Sequence, residues 1–521
     1  MNSTTLARDI VRQLIENGVS DFVLSPGSRN APLSIALHEA EVAGLVNLYV
    51  RIDERGAAFF ALGLSKASDH YVAVICTSGT AAANFHPAIL EAYHSANKLL
   101  VITADRPAHL RRTGANQTTL QVGLLEPVST IDISSSIRIS DLLESGPVHL
   151  NMQFDEPLLS DDRTDWLAGL APHTKEYPKG EASEVFYPKA RGVVVVGHDR
   201  AGLDADGISF YAKSIGWPII AEDPLSFPTS IAHAALFLTD AEIRRSLKPE
   251  EIIVVGRPTL SRSIAALVNE CANVVVIDPR ALTVDTERRA AKIFSYPPDG
   301  HSSADPKWLK LWRDAAKSAQ NALRLDWSEQ AAVVAITSNI PDGSALFVGS
   351  SRPVRDIEAF AQPRSGIHTF ANRGLAGIDG NTSCAFGIAE KYQRSFAIMG
   401  DITFLHDISA LVNPSSANLT VFVIDNNGGG IFNTLSQAGV DGFEKIFGTP
   451  HNLDLERVIH GFGGQVTKVK CESDLIHAII HRANGLNFVI VEVPNRVTNA
   501  ERLKEITQSL VSALRMGSNL A

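Results

Sequence analysis

Two short segments of this 521-residue chain set oxygen-bearing side chains at the ends of apolar runs. One is Met399-Gly400-Asp401-Ile402-Thr403. The other is Val421-Phe422-Val423-Ile424-Asp425-Asn426-Asn427-Gly428-Gly429-Gly430. Magnesium takes about six oxygens in an octahedron. A strand-end carboxylate, an amide oxygen and a loop carbonyl supply half of that set and leave phosphate oxygens and water for the rest. Glycines beside them let a loop come close to phosphates, because no Cβ intervenes. The bland alternative is a pair of ordinary loops at the carboxyl ends of strands.

Other segments carry chemistry of a different kind. Val50-Arg51-Ile52-Asp53-Glu54-Arg55-Gly56-Ala57-Ala58 passes from an extended stretch into a helix of small residues. Acids there favour a helix N-terminus, and taken alone that accounts for Asp53 and Glu54. Thr77-Ser78-Gly79-Thr80-Ala81 has the composition of a tight loop. Arginines recur in Ser25-Pro26-Gly27-Ser28-Arg29-Asn30-Ala31-Pro32, in Ala104-Asp105-Arg106-Pro107, and in Gly349-Ser350-Ser351-Arg352-Pro353-Val354-Arg355-Asp356. Gly114-Ala115-Asn116-Gln117-Thr118 and Asn372-Arg373-Gly374-Leu375-Ala376-Gly377-Ile378-Asp379-Gly380 add amides and one more guanidinium. Guanidinium forks suit carboxylates, although any single arginine serves equally well in a structural salt bridge.

The elements that must position these segments follow from hydrophobic patterning. Short β-branched runs alternate with longer helical patterns, which is the signature of parallel sheets covered by helices. The fold class is α/β. Strands are predicted at Asp21–Ser25, Val72–Thr77 and Leu99–Ala104, then at Gly192–Gly197, Ile252–Gly256 and Val274–Asp278. A third set is predicted at Ala345–Gly349, Ser395–Gly400, Thr420–Asp425 and Phe488–Val493. Polar, proline-punctuated stretches at Ser160–Arg191 and Tyr296–Asp305 read as linkers. Three doubly wound domains are expected, over residues 1–165, 190–325 and 330–521.

With the motifs in place, the chain resembles the thiamine diphosphate-dependent enzymes, whose signature opens Gly-Asp-Gly and closes about 25 to 30 residues later at Asn-Asn. The chain has Ile402 where many members have glycine, and Asp425 where the first asparagine often stands. The resemblance implies that Asp401 and Asn426 bind a magnesium or manganese ion by side chain and Gly428 by its carbonyl. It places Gly400, Ile402, Gly429 and Ile431 against the cofactor. It makes Glu54 the catalytic carboxylate that hydrogen-bonds the aminopyrimidine ring and promotes cofactor activation. Thr77, Ser78 and Gly79 become cofactor contacts, and Ile378 the residue that props the cofactor into its bent posture. The first domain is then the pyrimidine-binding one and the third the diphosphate-binding one. A homodimer is implied, with sites shared between subunits and a homotetramer as an extension.

Along the first and third domains the likeness narrows to the branch that joins 2-oxoglutarate to isochorismate in menaquinone biosynthesis. The implied function is decarboxylation of 2-oxoglutarate and 1,4-addition of the resulting succinic semialdehyde carbanion to isochorismate, a transferase reaction. Carried over residue by residue, Ser28, Arg29, Arg106, Asn116, Gln117, Ser351, Arg355, Arg373 and Phe432 bind substrate and intermediate. Arg262 adds a further charge from the middle domain, where Ser263 replaces a second basic residue of some relatives. His86 and His406 lie near motif loops without a partner and are left out of catalysis. Other thiamine diphosphate decarboxylases or carboligases remain a rival reading, as does a nucleotide-binding α/β module. No G-x-G-x-x-G opens a βαβ unit and no G-x-x-x-x-G-K-[ST] loop occurs, which counts against the module.

Bulk properties agree. At 521 residues the chain exceeds a single core, and 45% hydrophobic with 20% charged residues is ordinary for a folded, soluble protein. A net charge of −10 with no Lys/Arg-rich run argues against a nucleic-acid binder. The first residues show no apolar signal core, and no run reaches the roughly 18 apolar residues of a membrane span, so a cytoplasmic setting is expected. Cys76, Cys271, Cys384 and Cys471 form no CxxC pair and are expected to be buried free thiols.

Overall fold

The structure is a computed structural model that describes residues 1–143, 146–171, 173, 184–280, 285, 289–300, 304–415 and 417–517. Parts of the stretches read as linkers, Ser160–Arg191 and Tyr296–Asp305, lie outside the described residues. The chain forms two compact units. The first joins Met1–Pro178 to Gly374–Gln393 and His406–Asn418, and the second joins Lys179–Arg373 to Arg394–Leu405 and Leu419–Ala521.

The first unit holds six parallel strands: β1 (Asp21–Leu24), β2 (Asn47–Val50), β3 (Val72–Cys76), β4 (Leu99–Asp105), β5 (Thr130–Ile133) and β6 (Val148–Gln153). Their order is β2-β1-β3-β4-β6-β5. The chain leaves β1 to one side and returns to the other, so β1 and β3 flank a topological switch point, where loops diverge and leave a crevice at the carboxyl ends. β3 and β4 are buried along their whole length because helices cover both faces, and each buried Val or Ile there contributes roughly 1.5–3 kcal/mol. The helix Glu54–Ser68 begins at Asp53, whose carboxylate accepts from the Arg55 N–H, and it crosses the helix Asn381–Ala389. A Cβ added to Gly63 would stand 2.1 Å from the Cys384 carbonyl oxygen, and one on Gly387 would stand 2.1 Å from that of Phe60. The helices therefore meet backbone to backbone, and a side chain at either glycine would force them apart.

The second unit carries two main sheets and a small ladder. β8 (Gly192–Val196), β9 (Ile219–Ala221), β10 (Glu251–Val255), β11 (Val274–Ile277) and β12 (Ala290–Phe294) are parallel in the order β12-β11-β10-β8-β9. β7 (Val185–Phe186) pairs with β13 (Asp299–Gly300), so both stretches read as linkers contribute to this ladder. The third sheet comprises β14 (Ser344–Val348), β15 (Ile367–Ala371), β16 (Ser395–Gly400), β17 (Leu419–Asp425), β18 (Gln465–Val469) and β19 (Leu486–Glu492). Its order, β15-β14-β16-β17-β19-β18, repeats that of the first sheet strand for strand. Every predicted strand is present. Among the described residues no helix is long and apolar enough to cross a membrane. Cys76, Cys271 and Cys384 are buried free thiols as expected, but Cys471 is only half-buried, because it starts the helix Glu472–Ile480 at the surface.

Candidate functional site

In the first unit the candidate residues gather at the carboxyl ends of the strands. Ser28 and Arg29 follow β1, Glu54 opens the helix after β2, Thr77–Gly79 follow β3 and Arg106 follows β4. A Cβ on Gly27 would fall 2.4 Å from the Thr77 Cβ, so the loops after β1 and β3 touch at the switch point. Gly79 has φ +85°, and a Cβ there would also strike the Gln117 side chain at 2.9 Å. Both reasons require glycine. Glu54 is half-buried, and its charge reaches the Cys76 thiol, which burial first and then Glu54 hold well above its ordinary range.

Arg106 binds this loop directly. Its guanidinium donates to the Ser78 hydroxyl at 3.0 Å and to the Gln117 carbonyl at 2.8 Å, while the Gln117 amide donates back to the Ser78 carbonyl at 3.0 Å. Burial, and then the nearby Arg29 charge, lower the Arg106 pKa. Arg29 donates to the Phe154 carbonyl and pairs with Glu156 at 3.2 Å. Asn116 and Ser28 are exposed. Ile378 is half-buried in the stretch that begins at Gly374, whose backbone is clamped by the buried Glu91: its carboxylate accepts from the Gly374 and Leu375 N–H groups at 2.6 and 2.7 Å.

In the second unit the loops after β16 and β17 converge. Asp401 is buried and accepts from the Ile402 N–H at 2.6 Å and the Gly428 N–H at 2.9 Å. His451 stands 3.2 Å from Asp401 and 3.8 Å from Asp425. These three could converge on a cation, their ligand atoms lying within 4.8 Å of one another. Asn426 spends its amide nitrogen on the buried Glu329, and its Oδ1 is buried and accepts no hydrogen bond from any described residue. A buried carbonyl oxygen without a donor is costly unless something positive meets it. The Asp401 carboxylate and Asn426 Oδ1 thus offer oxygens that suit a hard divalent cation, while the Gly428 carbonyl, the third expected ligand, accepts from the Gly430 N–H at 2.9 Å. Burial and the Asp401 charge push Asp425 up to about 6. Burial and the Asp356 charge push Glu329 up to about 7.

The remaining candidates have the following partners. Ser351, with φ +77°, caps the helix Arg352–Phe360, and Arg355 donates to its carbonyl at 2.6 Å. Arg373 is buried, donates to the Thr259 hydroxyl at 2.7 Å, and receives a bond on its carbonyl from Arg257. Burial and then the Arg373 charge lower the Arg355 pKa. Arg352, from the same motif, is instead tied to Asp356 and lies 3.8 Å from Glu329. Gly429, Ile431 and Phe432 lie on and beside the turn Gly430–Thr434, the Phe432 ring 5.4 Å from that of Phe447. Arg262 is exposed at the start of its helix. His86 bonds the Glu126 carbonyl and His406 contacts Arg55.

Sequence reading did not single out Glu91, Gln121, Glu222, Glu329 or His451. Glu222 is buried and accepts from the N–H groups of His198, Thr259 and Leu260, which fixes the loop that holds Arg373. Each of these residues acts on a partner far away in the chain, so no local spacing could reveal it.

Three family profiles match the chain in order. "Thiamine pyrophosphate enzyme, N-terminal TPP binding domain" covers residues 4–124, "Middle domain of thiamine pyrophosphate" covers 160–348, and "Thiamine pyrophosphate enzyme, C-terminal TPP binding domain" covers 353–493. With two matching sheets that present their loops at switch points, the chain is a thiamine pyrophosphate enzyme built of three α/β domains. Its relatives narrow the class. A 2-succinyl-5-enolpyruvyl-6-hydroxy-3-cyclohexene-1-carboxylate synthase of Nocardioides sp. is 38% identical over 97% of this chain and 98% of its own length. Proteins of the same name from Thermobifida fusca and Oceanobacillus iheyensis are 36% and 33% identical, over 98% and 94% of the chain and 100% and 94% of their own lengths. The chain belongs to the family of 2-succinyl-5-enolpyruvyl-6-hydroxy-3-cyclohexene-1-carboxylate synthases.

Proposed function

We propose that the chain decarboxylates 2-oxoglutarate and adds the resulting four-carbon carbanion to isochorismate in menaquinone biosynthesis, using thiamine diphosphate and a magnesium or manganese ion. The observation that carries this reading is the full-length likeness to synthases of one name. Thiamine diphosphate, when bound, supplies the electron sink for this carbanion chemistry.

The chain's own residues would do the rest. Asp401, Asn426 and Gly428 would hold the metal ion, a role supported by the unpartnered Asn426 oxygen. Gly400, Ile402, Gly429 and Ile431 would line the cofactor beside them. Glu54 would hold a proton at the aminopyrimidine ring, with Thr77, Ser78, Gly79 and Ile378 shaping the space around it. Arg29 and Arg106 in one unit, and Arg355 and Arg373 in the other, would bind the carboxylates of the two substrates, assisted by Ser28, Asn116, Gln117, Ser351 and Phe432. Paired guanidiniums suit this task because each substrate brings two carboxylates, and desolvated forks bind them bidentately. Residues 1–165, 190–325 and 330–521 would form the pyrimidine-binding, central and diphosphate-binding domains of a homodimer with shared sites, or of a homotetramer built from it.

The test is product analysis after mixing the protein with thiamine diphosphate, magnesium, 2-oxoglutarate and isochorismate. The adduct of succinic semialdehyde and isochorismate is expected, with one carbon dioxide released per adduct. Carbon dioxide release that proceeds at the same rate without isochorismate and yields no adduct would instead favour a simple 2-oxoacid decarboxylase.

A further inference from the structure

We propose that Gln121 is a positioning residue that holds the Thr77–Gly79 loop in register and ties it to the strand end that carries Arg106. The proposal rests on the reading of that loop as cofactor-facing.

Gln121 is fully buried and spends both ends of its amide. Its Oε1 accepts from the Gly79 N–H at 3.0 Å, while its Nε2 donates to the Ala104 carbonyl at 3.2 Å and to Asn151 Oδ1 at 2.8 Å. Turning the amide over would set its NH2 against the Gly79 N–H and its oxygen against two acceptors, so one orientation is fixed. The side chain thereby bridges the loop after β3 and the end of β4.

Asn151 is locked in turn. Its Oδ1 also accepts from the Thr103 hydroxyl at 2.8 Å, and its Nδ2 donates to Asp105 at 3.0 Å and Asp132 at 2.9 Å. Arg111 pairs with both acids, at 2.8 Å from Asp105 and 2.7 Å from Asp132, and donates to the Arg106 carbonyl at 3.2 Å. Asp105 closes the circuit by accepting from the Arg106 N–H at 2.7 Å. On its outer side the loop is braced by Arg106 through Ser78 and Gln117. The loop is thus gripped from the interior by one amide and from the solvent side by one guanidinium. Without Gln121 the Gly79 N–H has no acceptor in its present position. A buried donor left unsatisfied is costly enough to shift a loop rather than stay as it is.

The test measures the dissociation constant of thiamine diphosphate with magnesium by calorimetry, together with the KM for isochorismate and kcat at saturation. Four variants are compared with the parent. Gln121→Met is expected to weaken cofactor binding about tenfold and to raise the isochorismate KM, with saturated kcat within about threefold of the parent. Thr103→Val removes equally buried bonds from Asn151 and His149 but none from the loop, and its cofactor binding should stay within about threefold of the parent. Gln121→Glu keeps an oxygen facing Gly79 and, held protonated between the Ala104 carbonyl and Asn151 Oδ1, donates its O–H to one of them; it carries the test if the methionine variant does not fold and should retain cofactor affinity within about threefold. Gly79→Ala strains the loop directly and should weaken binding at least as much as Gln121→Met.

The proposal is overturned if Gln121→Met folds and binds like the parent, if Gln121→Glu loses as much affinity as Gly79→Ala, or if Thr103→Val loses as much as Gln121→Met. Unchanged binding in Gly79→Ala would instead overturn the cofactor-facing reading of the loop.

Discussion

The first and third sheets share one strand order and one switch point, yet their carboxyl-end loops are opposites in charge balance. Behind the first, Gln121, Asn151, Asp105, Arg111 and Asp132 interlock so that each acid meets a guanidinium and an amide. Burial raises Asp105. For Asp132 burial also pushes upward, but the bonds from Arg111 and Asn151 outweigh it and the pKa is lowered. In the third, among the described residues, Asp401 and Asp425 have only the titratable His451 between them, Glu329 and Asp356 share Arg352, and the Asn426 oxygen is without a donor. Topology supplies the same crevice twice, and the residues decide its use. The balanced network fixes loops in place, whereas the unbalanced one gains most from an added cation.

That contrast predicts where breakage will be felt. The largest effect is expected for Glu54→Gln, which should lower carbon dioxide release from 2-oxoglutarate by about 10²–10⁴ while cofactor affinity changes little. A parental rate would remove Glu54 from activation. Asp401→Asn should weaken magnesium-dependent thiamine diphosphate binding by about 100-fold or more. In cofactor-free protein the same change removes both the repulsion with Asp425 and the pairing with His451, so its thermal midpoint should move little; a chelator should weaken cofactor binding in the parent and do little further in the variant. Arg111→Met tests the balanced side. It strands Asp105 and Asp132 and should cost about 3–5 kcal/mol of stability, and a variant as stable as the parent would contradict the account of that network.

The smallest effect is a pH dependence. His149 is fully buried between the hydroxyls of Thr103 and Thr130, and burial lowers its pKa from 6.5 to about 4. The unfolded chain takes up this proton first, so stability is complete above about pH 6.5 and is lost as pH falls toward 4. Between pH 7 and pH 5 the loss from this group is roughly 2 kcal/mol. His149→Gln should flatten the fall in thermal midpoint over that interval, and an unchanged slope would assign it to other groups.

Ten buried strands were legible because helices on both faces select unbroken apolar runs, as in Val72–Cys76 and Gly192–Val196, whereas the buried Val148–Gln153, broken by His149 and Asn151, and the three-residue Ile219–Ala221 were missed. The edge strands Asn47–Val50, Ala290–Phe294, Ile367–Ala371 and Gln465–Val469 escaped that pattern. Their exposed or half-buried positions carry Asn47, Lys292, His368 and Lys468, which read locally as loop or helix surface. The site divides along the same line. Asp401, Asn426 and Glu54 sit within short motifs whose neighbours do related work. Gln121 meets Gly79 and Asn151, 42 and 30 residues away, Glu329 meets Asn426 at a separation of 97, and His451 meets Asp401 at 50. Such partners become visible only when the fold brings them together.

The crossing of Glu54–Ser68 with Asn381–Ala389, close enough to require Gly63 and Gly387, bears on how the chain matures. The ribosome delivers residues 1–178 well before 374–393 and 406–418, yet all three stretches make up one compact unit. An emerging N-terminal fragment therefore carries an uncovered helix face until most of the polypeptide has been made. Contacts of such long sequence separation slow folding and prolong exposure to aggregation. A gene cut after codon 178 would not yield a self-sufficient fragment, and complementation by the later segments would be needed to restore it.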